Sequence, residues 1–174
     1  PPRDDKEQAG KTLSGAAFLF KIVTYLASLL IGILFIKFLP TFTRKTSESI
    51  IQKPVNNFGV GVLVVILAPI SVLILFVSLV GIPLAIVTVI SLLIELYLAK
   101  IFVSLAIGWK ILKSLGQQSN DVLALTLGLV IYTILSSIPI IGWIAVIFVI
   151  ITGMGAIVSV KRDFYKQLRA KNLI

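Results

Sequence analysis

The chain has 174 residues, a net charge of +9, 58% hydrophobic residues and only 13% charged residues. An ordinary soluble domain is about 25% charged, so this composition predicts that lipid is the solvent for much of the chain. The absence of Cys and His excludes disulfides, thiolate metal sites and the usual general base. The basic residues lie at the ends of apolar runs, a pattern that is typical of membrane anchoring and argues against nucleic-acid binding.

Residues 1–14 are polar and carry charges of both signs, which favours a linker from a preceding extracytoplasmic domain; a frayed terminus is the alternative. The first apolar run, residues 15–39, is long enough for a membrane-spanning helix. Lys21 and Lys37 bracket its uncharged centre, and their long side chains can reach the two membrane surfaces.

Residues 41–53 form the longest polar connection between two apolar runs. Apolar and basic residues alternate here in a way that favours a helix lying on the membrane surface over a plain solvated loop. We expect its apolar residues, Phe42, Ile50 and Ile51, to enter the headgroup layer. Its basic side should then face anionic lipid headgroups.

The longest apolar stretch is predicted to form two spans, residues 58–80 and 84–109. Gly81 and Pro83 break this stretch in the middle, because proline ends an incoming helix and suits the first turn of the next. Pro69 lies near the centre of the first of these spans and is expected to kink it. The result is a transmembrane hairpin with almost no loop.

Two shorter apolar runs follow, residues 122–136 and 143–160, separated by a break that contains Pro139 and Gly142. They form either two short tilted spans or one re-entrant hairpin. We favour two spans, which makes an all-α membrane domain (residues 15–160) of about five transmembrane helices. Residues 161–174 are predicted to be a basic cytoplasmic tail that continues as a helix along the membrane surface.

Polar and amphipathic residues mark the predicted ends of these helices. Asn56 or Asn57 can cap the second span, and Asn120 or Asp121 can cap the fourth. Trp109 at the end of the third span has the character of an interface anchor.

The Lys and Arg residues are unevenly shared between the two sides of the predicted spans. Alternating the sides gives ten basic residues to one side and three, all within residues 1–14, to the other. Positive charge marks the cytoplasmic side of a membrane protein. We therefore predict a multi-pass protein of the cell (inner) membrane, with the N-terminus outside and the C-terminus in the cytoplasm.

Glu95 lies near the middle of the third span, where an ionised carboxylate is costly. One interpretation is a proton or cation site within a candidate intramembrane polar site of Glu95, Lys100 and Tyr132. The other is a protonated or paired carboxyl that holds helices together, with Lys100, Tyr97, Tyr132 or Ser136 as its partner.

Catalytic and cofactor patterns are missing from the sequence. It contains no paired carboxylates, no Ser–His arrangement, no glycine-rich phosphate loop after a strand and no metal-ligand cluster. The sequence therefore predicts no enzyme, no metal site and no cofactor.

Small residues give several predicted helices a narrow face that permits close packing, within the chain or in a homo-oligomer. These residues are Ser28 and Gly32, Ser104 and Gly108, and Gly153 and Gly155.

Short motifs follow one another in a distinctive order along residues 15–160. They are Leu39-Pro40, Lys53-Pro54, Gly59 and Gly61 ahead of Ala68-Pro69, Val80-Gly81-Ile82-Pro83-Leu84-Ala85, Tyr97-Leu98-Ala99-Lys100 leading to Gly108, Gly128, Ile138-Pro139-Ile140-Ile141-Gly142, and Gly153-Met154-Gly155-Ala156. This order resembles the C-terminal membrane domain of bacterial and archaeal polymer-forming, bactofilin-like proteins. The resemblance implies a secreted β-solenoid of short repeats ahead of residues 1–14, and it gives Glu95 no role.

The sequence thus favours a non-enzymatic membrane domain that tethers an extracytoplasmic, polymer-forming scaffold domain to the cell membrane. The alternative is a small transporter or channel subunit that works through Glu95.

Overall fold

A computed structural model describes residues 4–79, 81–117 and 120–170. These residues form six α-helices and no β-strand, so the predicted all-α class is confirmed. The predicted linker residues 1–3, Val80 in the predicted turn and the tail residues 171–174 lie outside the described part. The helices are α1 (Asp4–Phe38), α2 (Pro40–Gln52), α3 (Pro54–Val77), α4 (Gly81–Ser114), α5 (Asp121–Ser136) and α6 (Pro139–Ala170).

Four helices of the described chain are long and apolar enough to cross a membrane. They contain the segments Phe18–Phe38, Pro54–Val77, Gly81–Ser114 and Ile140–Arg169. The apolar helix α5 has 16 residues, which at the usual rise makes about 24 Å, less than the roughly 30 Å of a hydrocarbon core. These helices are compatible with a multi-pass membrane protein.

The polar stretch at the beginning of the chain and the basic tail are both helical where the structure describes them. Helix α1 begins at Asp4 and continues without a break into the first apolar run. Helix α6 continues past Lys161 to Ala170. The break predicted around Pro139 and Gly142 is shorter than expected, because α6 begins at Pro139 and Gly142 already lies in its first turn.

Helices α3 and α4 are joined by a tight turn that follows Ser78. The backbone N–H of Gly81 donates to the carbonyl oxygen of Ser78 at 2.9 Å, and Pro83 lies in the first turn of α4. A Cβ atom at Gly81 would overlap the carbonyl oxygen of Leu75, so this approach requires glycine. Pro69 lies inside α3, which stays helical on both sides of it.

Helix α4 is the centre of the fold, because it contacts every other described helix. Between Leu98 and Ala106 nearly every residue of α4 is buried. The first part of α4, from Ile82 to Leu96, is mostly exposed. The hydrophobic core therefore surrounds the second half of α4, together with residues of α5 and α6 such as Leu125.

The outward faces of the helices are apolar. Phe20 is 73% exposed on α1, Val77 is 90% exposed at the end of α3, and Trp143 is 76% exposed on α6. Soluble monomers rarely expose apolar patches larger than a few hundred Å². The outer surface of this fold is therefore suited to lipid rather than to water.

Helix α2 packs against α4 and α6, which corrects the prediction that its apolar side enters the headgroups. Ile50 is buried in the core, and the ring of Phe42 meets the ring of Phe102 edge-on, with centroids 5.8 Å apart. Ser47 Oγ donates to the carbonyl oxygen of Phe102 at 3.2 Å. Of the three apolar residues, only Ile51 is exposed, because the other two have found a protein partner instead of lipid.

Candidate functional site

The three residues of the predicted intramembrane polar site do not form one site. Glu95 Oε1 accepts a hydrogen bond from Lys161 Nζ, and the pair joins α4 to α6. The side chain of Glu95 is only 14% exposed. Its partner comes from the segment predicted to be a tail and is none of the four residues that the sequence suggested. Lys100 and Tyr132 belong to a different place in the fold.

Lys100 and Tyr132 line a cavity between α1, α4 and α5, which we call the polar cleft. Its volume is about 130 Å³. It contains two lysine ammonium groups and several hydroxyls, and no carboxylate is among its lining residues. These residues are Phe20, Lys21, Thr24, Tyr25, Ser28, Lys100, Leu129, Tyr132, Thr133 and Ser136.

The floor of the polar cleft is fixed by contacts between α1 and α4. Ser28 is 1% exposed, donates to the carbonyl oxygen of Thr24 at 2.7 Å, and lies 3.0 Å from the phenol oxygen of Tyr97. Lys100 Nζ lies 4.3 Å from the centroid of the Tyr97 ring. Such a cation–π contact holds the lysine side chain over the ring.

The mouth of the polar cleft lies where α5 ends. Lys21 Nζ donates to Ser137 Oγ at 3.2 Å. Tyr25 reaches from α1 to α5, where its hydroxyl lies 3.4 Å from the carbonyl oxygen of Thr126. Both lysines of the cleft therefore contact neutral groups, and the positive charges of Lys21 and Lys100 are not balanced by an acidic residue among those that line the cavity.

A polar stripe on α1 is the one sign of this cleft in the sequence. Lys21, Thr24, Tyr25 and Ser28 follow the three-and-four spacing of one helix face, in a run that is otherwise apolar. Polar side chains on one face of an apolar helix indicate that this face meets protein or water rather than lipid.

Helices α4 and α5 approach each other until their backbones touch. A Cβ atom at Gly108 would overlap the carbonyl oxygen of Ala124, and one at Gly128 would overlap the carbonyl oxygen of Ser104. Small residues four apart on both helices thus face each other, as in the close-packed helix pairs of membrane proteins.

Helix α6 also packs closely on both α3 and α4. A Cβ atom at Gly155 would overlap the carbonyl oxygen of Asn57, and one at Gly153 would lie 2.6 Å from Cβ of Ala99. Gly61 has the same role against the backbone of α6.

The small residues predicted to permit close packing are therefore used between helices of one chain. Ser28 and Gly32 lie where α1 meets α4 and α5, and Gly32 contacts Leu125 and Ile101. Self-association of the chain stays a prediction.

The end of the fold that carries Trp109 is tied together by Asp121. Its carboxylate accepts from Arg44 Nη2 at 2.8 Å and from Trp109 Nε1 at 3.2 Å, which links α2, α4 and α5. The neighbouring Asn120 caps α5, because its Oδ1 accepts from the backbone N–H of Val122 at 3.1 Å. The sequence predicted a cap at this position but not the contacts of Asp121.

Asn57 does not cap α3, contrary to the prediction. Helix α3 begins earlier, with Lys53 at the N-cap position. The side chain of Asn57 is fully buried, and its Nδ2 donates to the carbonyl oxygen of Ser49 at 2.7 Å. Asn57 thus connects the end of α2 to the beginning of α3, and its backbone carbonyl lies against Gly155 of α6.

The chain belongs to the family described as a domain of unknown function (DUF8173), whose model matches residues 4–164. The match includes all the residues of the polar cleft and the Glu95–Lys161 pair. Neither a curated protein nor a solved structure has significant similarity to the chain.

Proposed function

We propose that this chain is a non-enzymatic membrane domain that anchors an extracytoplasmic, polymer-forming scaffold domain to the cell membrane. The observation that carries the proposal is the apolar outer surface of α1, α3, the first half of α4 and α6. Burying such a surface in lipid contributes about 25 cal/mol for each Å² of apolar area removed from water. This gain makes integration in the bilayer the favoured state.

The distribution of charge supports an orientation with the N-terminus outside and the C-terminus in the cytoplasm. Arg44, Lys45 and Lys53 belong to α2 and its end, and Lys110 and Lys113 to the last turns of α4. Asp121 of α5 holds these two regions at the same end of the bundle, because its carboxylate accepts from Arg44 of α2 and from Trp109 of α4. Basic residues gathered at one end favour the cytoplasmic side for that end.

Helix α1 supports a role as the tether. It is one continuous helix from Asp4 to Phe38, so a domain joined ahead of it would be carried on a stiff rod that continues into the membrane. The resemblance to bactofilin-like proteins points to a scaffold of short β-repeats on that side. The anionic headgroups of the inner leaflet are the partners of the basic end.

The Glu95–Lys161 ion pair argues against the alternative, a transporter or channel that works through Glu95. A carboxylate that is already neutralised by an ammonium group is a structural tie between α4 and α6. A flux assay in proteoliposomes separates the two functions. We expect the ion flux to equal that of protein-free vesicles. A larger flux that Glu95→Gln abolishes would contradict the proposed anchoring function and support transport.

Topology is tested with single cysteines, since the chain has no Cys of its own. We expect a membrane-impermeant maleimide to label Ser78→Cys in intact cells, and Gln117→Cys only after permeabilisation. Both positions are exposed, so a difference between them reports the side of the membrane. Labelling in the reverse order would contradict the orientation.

We further propose that α5 and the apolar part of α6 are the fourth and fifth spans. A cysteine at Ser137, in the turn between them, distinguishes this arrangement from a re-entrant hairpin. Two spans predict labelling from outside at a rate comparable to that of Ser78→Cys. Complete protection of Ser137→Cys in intact cells would indicate a hairpin that does not reach the outer surface.

The scaffold part of the proposal needs the native protein in its membrane. Electron tomography of such membranes should reveal a repeating layer on the outer face. A bare outer face, with the topology as proposed, would leave a membrane domain without the scaffold and would contradict the tether.

A further inference from the structure

Beside the polar cleft lies a second, apolar space between α1 and α5. This space, which we call the apolar groove, has a volume of about 790 Å³. It shares Lys21, Tyr25 and Thr133 with the polar cleft, so the two spaces are adjacent. Its other lining residues are mostly apolar: Phe18, Ile22, Leu26, Val130, Ile134 and Ser137.

The two spaces differ in what they can hold. The polar cleft presents two ammonium groups and several hydroxyl donors, and no carboxylate is among its lining residues. Cations that face an apolar surrounding without a counter-charge favour an anion, and phosphate oxygens accept such charge-assisted hydrogen bonds well. The apolar groove offers side chains that an acyl chain can contact along its length.

We propose that the cleft and the groove together form a binding site for one anionic phospholipid. Its phosphate lies between Lys21 and Lys100, and one acyl chain follows the groove along α1 and α5. This site is separate from the general attraction of headgroups to the basic end, and it does not depend on the scaffold role of the domain.

The length of α5 explains how a headgroup reaches the cleft. The helix has 16 residues, about 24 Å, and is therefore shorter than the hydrocarbon core of roughly 30 Å. A bilayer thins next to a short hydrophobic segment. The polar turn at Ser136 and Ser137 lets the headgroup layer dip towards Lys21, whose ammonium group lies at this turn and donates to Ser137 Oγ.

The adjacency of the two spaces favours a lipid over a free anion. A free phosphate would use the lysines and hydroxyls of the cleft but would leave the groove to the bulk lipid. A phospholipid fills both spaces, and the residues that they share lie where its headgroup meets its chains.

The test measures lipid retained by the full chain after purification in neutral detergent. The protein is offered equal amounts of dioleoylphosphatidylglycerol and dioleoylphosphatidylcholine, and bound lipid is counted by native mass spectrometry. We expect each chain to retain one phosphatidylglycerol molecule and to prefer phosphatidylglycerol over phosphatidylcholine about tenfold, which corresponds to a difference of about 1.4 kcal/mol in binding free energy. The double variant Lys21→Gln/Lys100→Gln should bring this preference close to one.

Lys37→Gln is the matched control, since Lys37 lies on the same helix as Lys21, is exposed and lines neither space. It should keep the full preference. An equal loss in Lys37→Gln would mean that net charge alone attracts the lipid, and it would overturn the site.

A third variant keeps both lysines and blocks the groove. Ile134→Trp adds a bulky ring to a position that is 63% exposed, so folding does not depend on it. We expect it to weaken retention of phosphatidylglycerol several-fold, and it decides the question if the double lysine variant does not fold. Two results would contradict the proposed lipid site and indicate a pocket for a free anion instead. One is unchanged retention in Ile134→Trp, and the other is displacement of the lipid by equimolar inorganic phosphate.

Discussion

Glu95 of α4 and Lys161 of α6 form an ion pair that joins the two helices. A charge within the hydrocarbon core costs about 2.5–3.5 kcal/mol even on the mildest scales. Pairing with an ammonium group lowers this cost for a carboxylate in a segment that is otherwise almost free of charge.

Removing one charge of the pair should cost more stability than removing the other. In Lys161→Gln, Glu95 keeps a side chain that is only 14% exposed and has lost its counter-charge, so we expect a loss of about 1–3 kcal/mol in the free energy of unfolding. In Glu95→Gln, Lys161 is 45% exposed and can turn outward, so the loss should be smaller. Thermal unfolding in detergent, followed by tryptophan fluorescence, measures both.

The double variant completes the comparison. Because both single variants break the same interaction, the loss of unfolding free energy in Glu95→Gln/Lys161→Gln should be smaller than the sum of the two single losses. Glu48→Gln, at an exposed position of α2, is the control and should leave the melting temperature unchanged. Strictly additive losses would show that the two charges do not interact.

The sequence led to Glu95 but could not supply its partner. Partners within one helix are predictable from the spacing of three or four residues, and Lys100, five residues from Glu95, does not have that spacing. Lys161 is 66 residues away, and only the packing of α6 on α4 brings it close. The same limit applies to the polar cleft, whose α1 stripe is visible in the sequence while its partners on α4 and α5 are not.

The contact of α4 with α5 should tolerate no additional methyl group. Gly128→Ala and Gly108→Ala each place a Cβ atom on a backbone carbonyl of the other helix, so the helices must separate. Overpacking of this kind costs about 1–3 kcal/mol. Gly59→Ala is the matched control, because nothing lies within 4 Å of a Cβ atom there. A melting temperature of Gly128→Ala equal to that of Gly59→Ala would contradict the close packing.

Ser104 should be replaceable although it is fully buried. Its hydroxyl oxygen has no hydrogen-bond partner among the described residues, and the contact with Gly128 uses its backbone. Ser104→Ala removes an unsatisfied polar atom, so we expect unchanged or higher stability. Ser28→Ala serves as the contrast, since its hydroxyl lies 3.0 Å from that of Tyr97 and its loss should cost about 1 kcal/mol. Equal melting temperatures for the two variants would contradict this difference.

The existence of the long apolar helices followed from composition, whereas their ends and the position of α2 did not. Hydrophobic runs of sufficient length predict spanning helices, because lipid requires every backbone polar group to be paired within the helix. An amphipathic helix such as α2 has two suitable surroundings, the headgroups and a groove between other helices. Packing between helices buries Thr43, Thr46 and Ser47 of α2. This burial is tolerated because their hydroxyl groups donate hydrogen bonds to backbone carbonyl oxygens.

Two adjacent asparagines offer a final test of how α2, α3 and α6 are held together. Asn57 is fully buried and donates to the carbonyl oxygen of Ser49 at 2.7 Å, whereas Asn56 is exposed. Asn57→Ala removes one of the two donors to that carbonyl, since the backbone N–H of Lys53 also donates to it, and creates a small cavity. We therefore expect a loss of about 1–3 kcal/mol in the free energy of unfolding. Asn56→Ala, which changes helix propensity in the same way, should have little effect. If the two variants melted at the same temperature, the buried amide would not be what fastens α2 to α3.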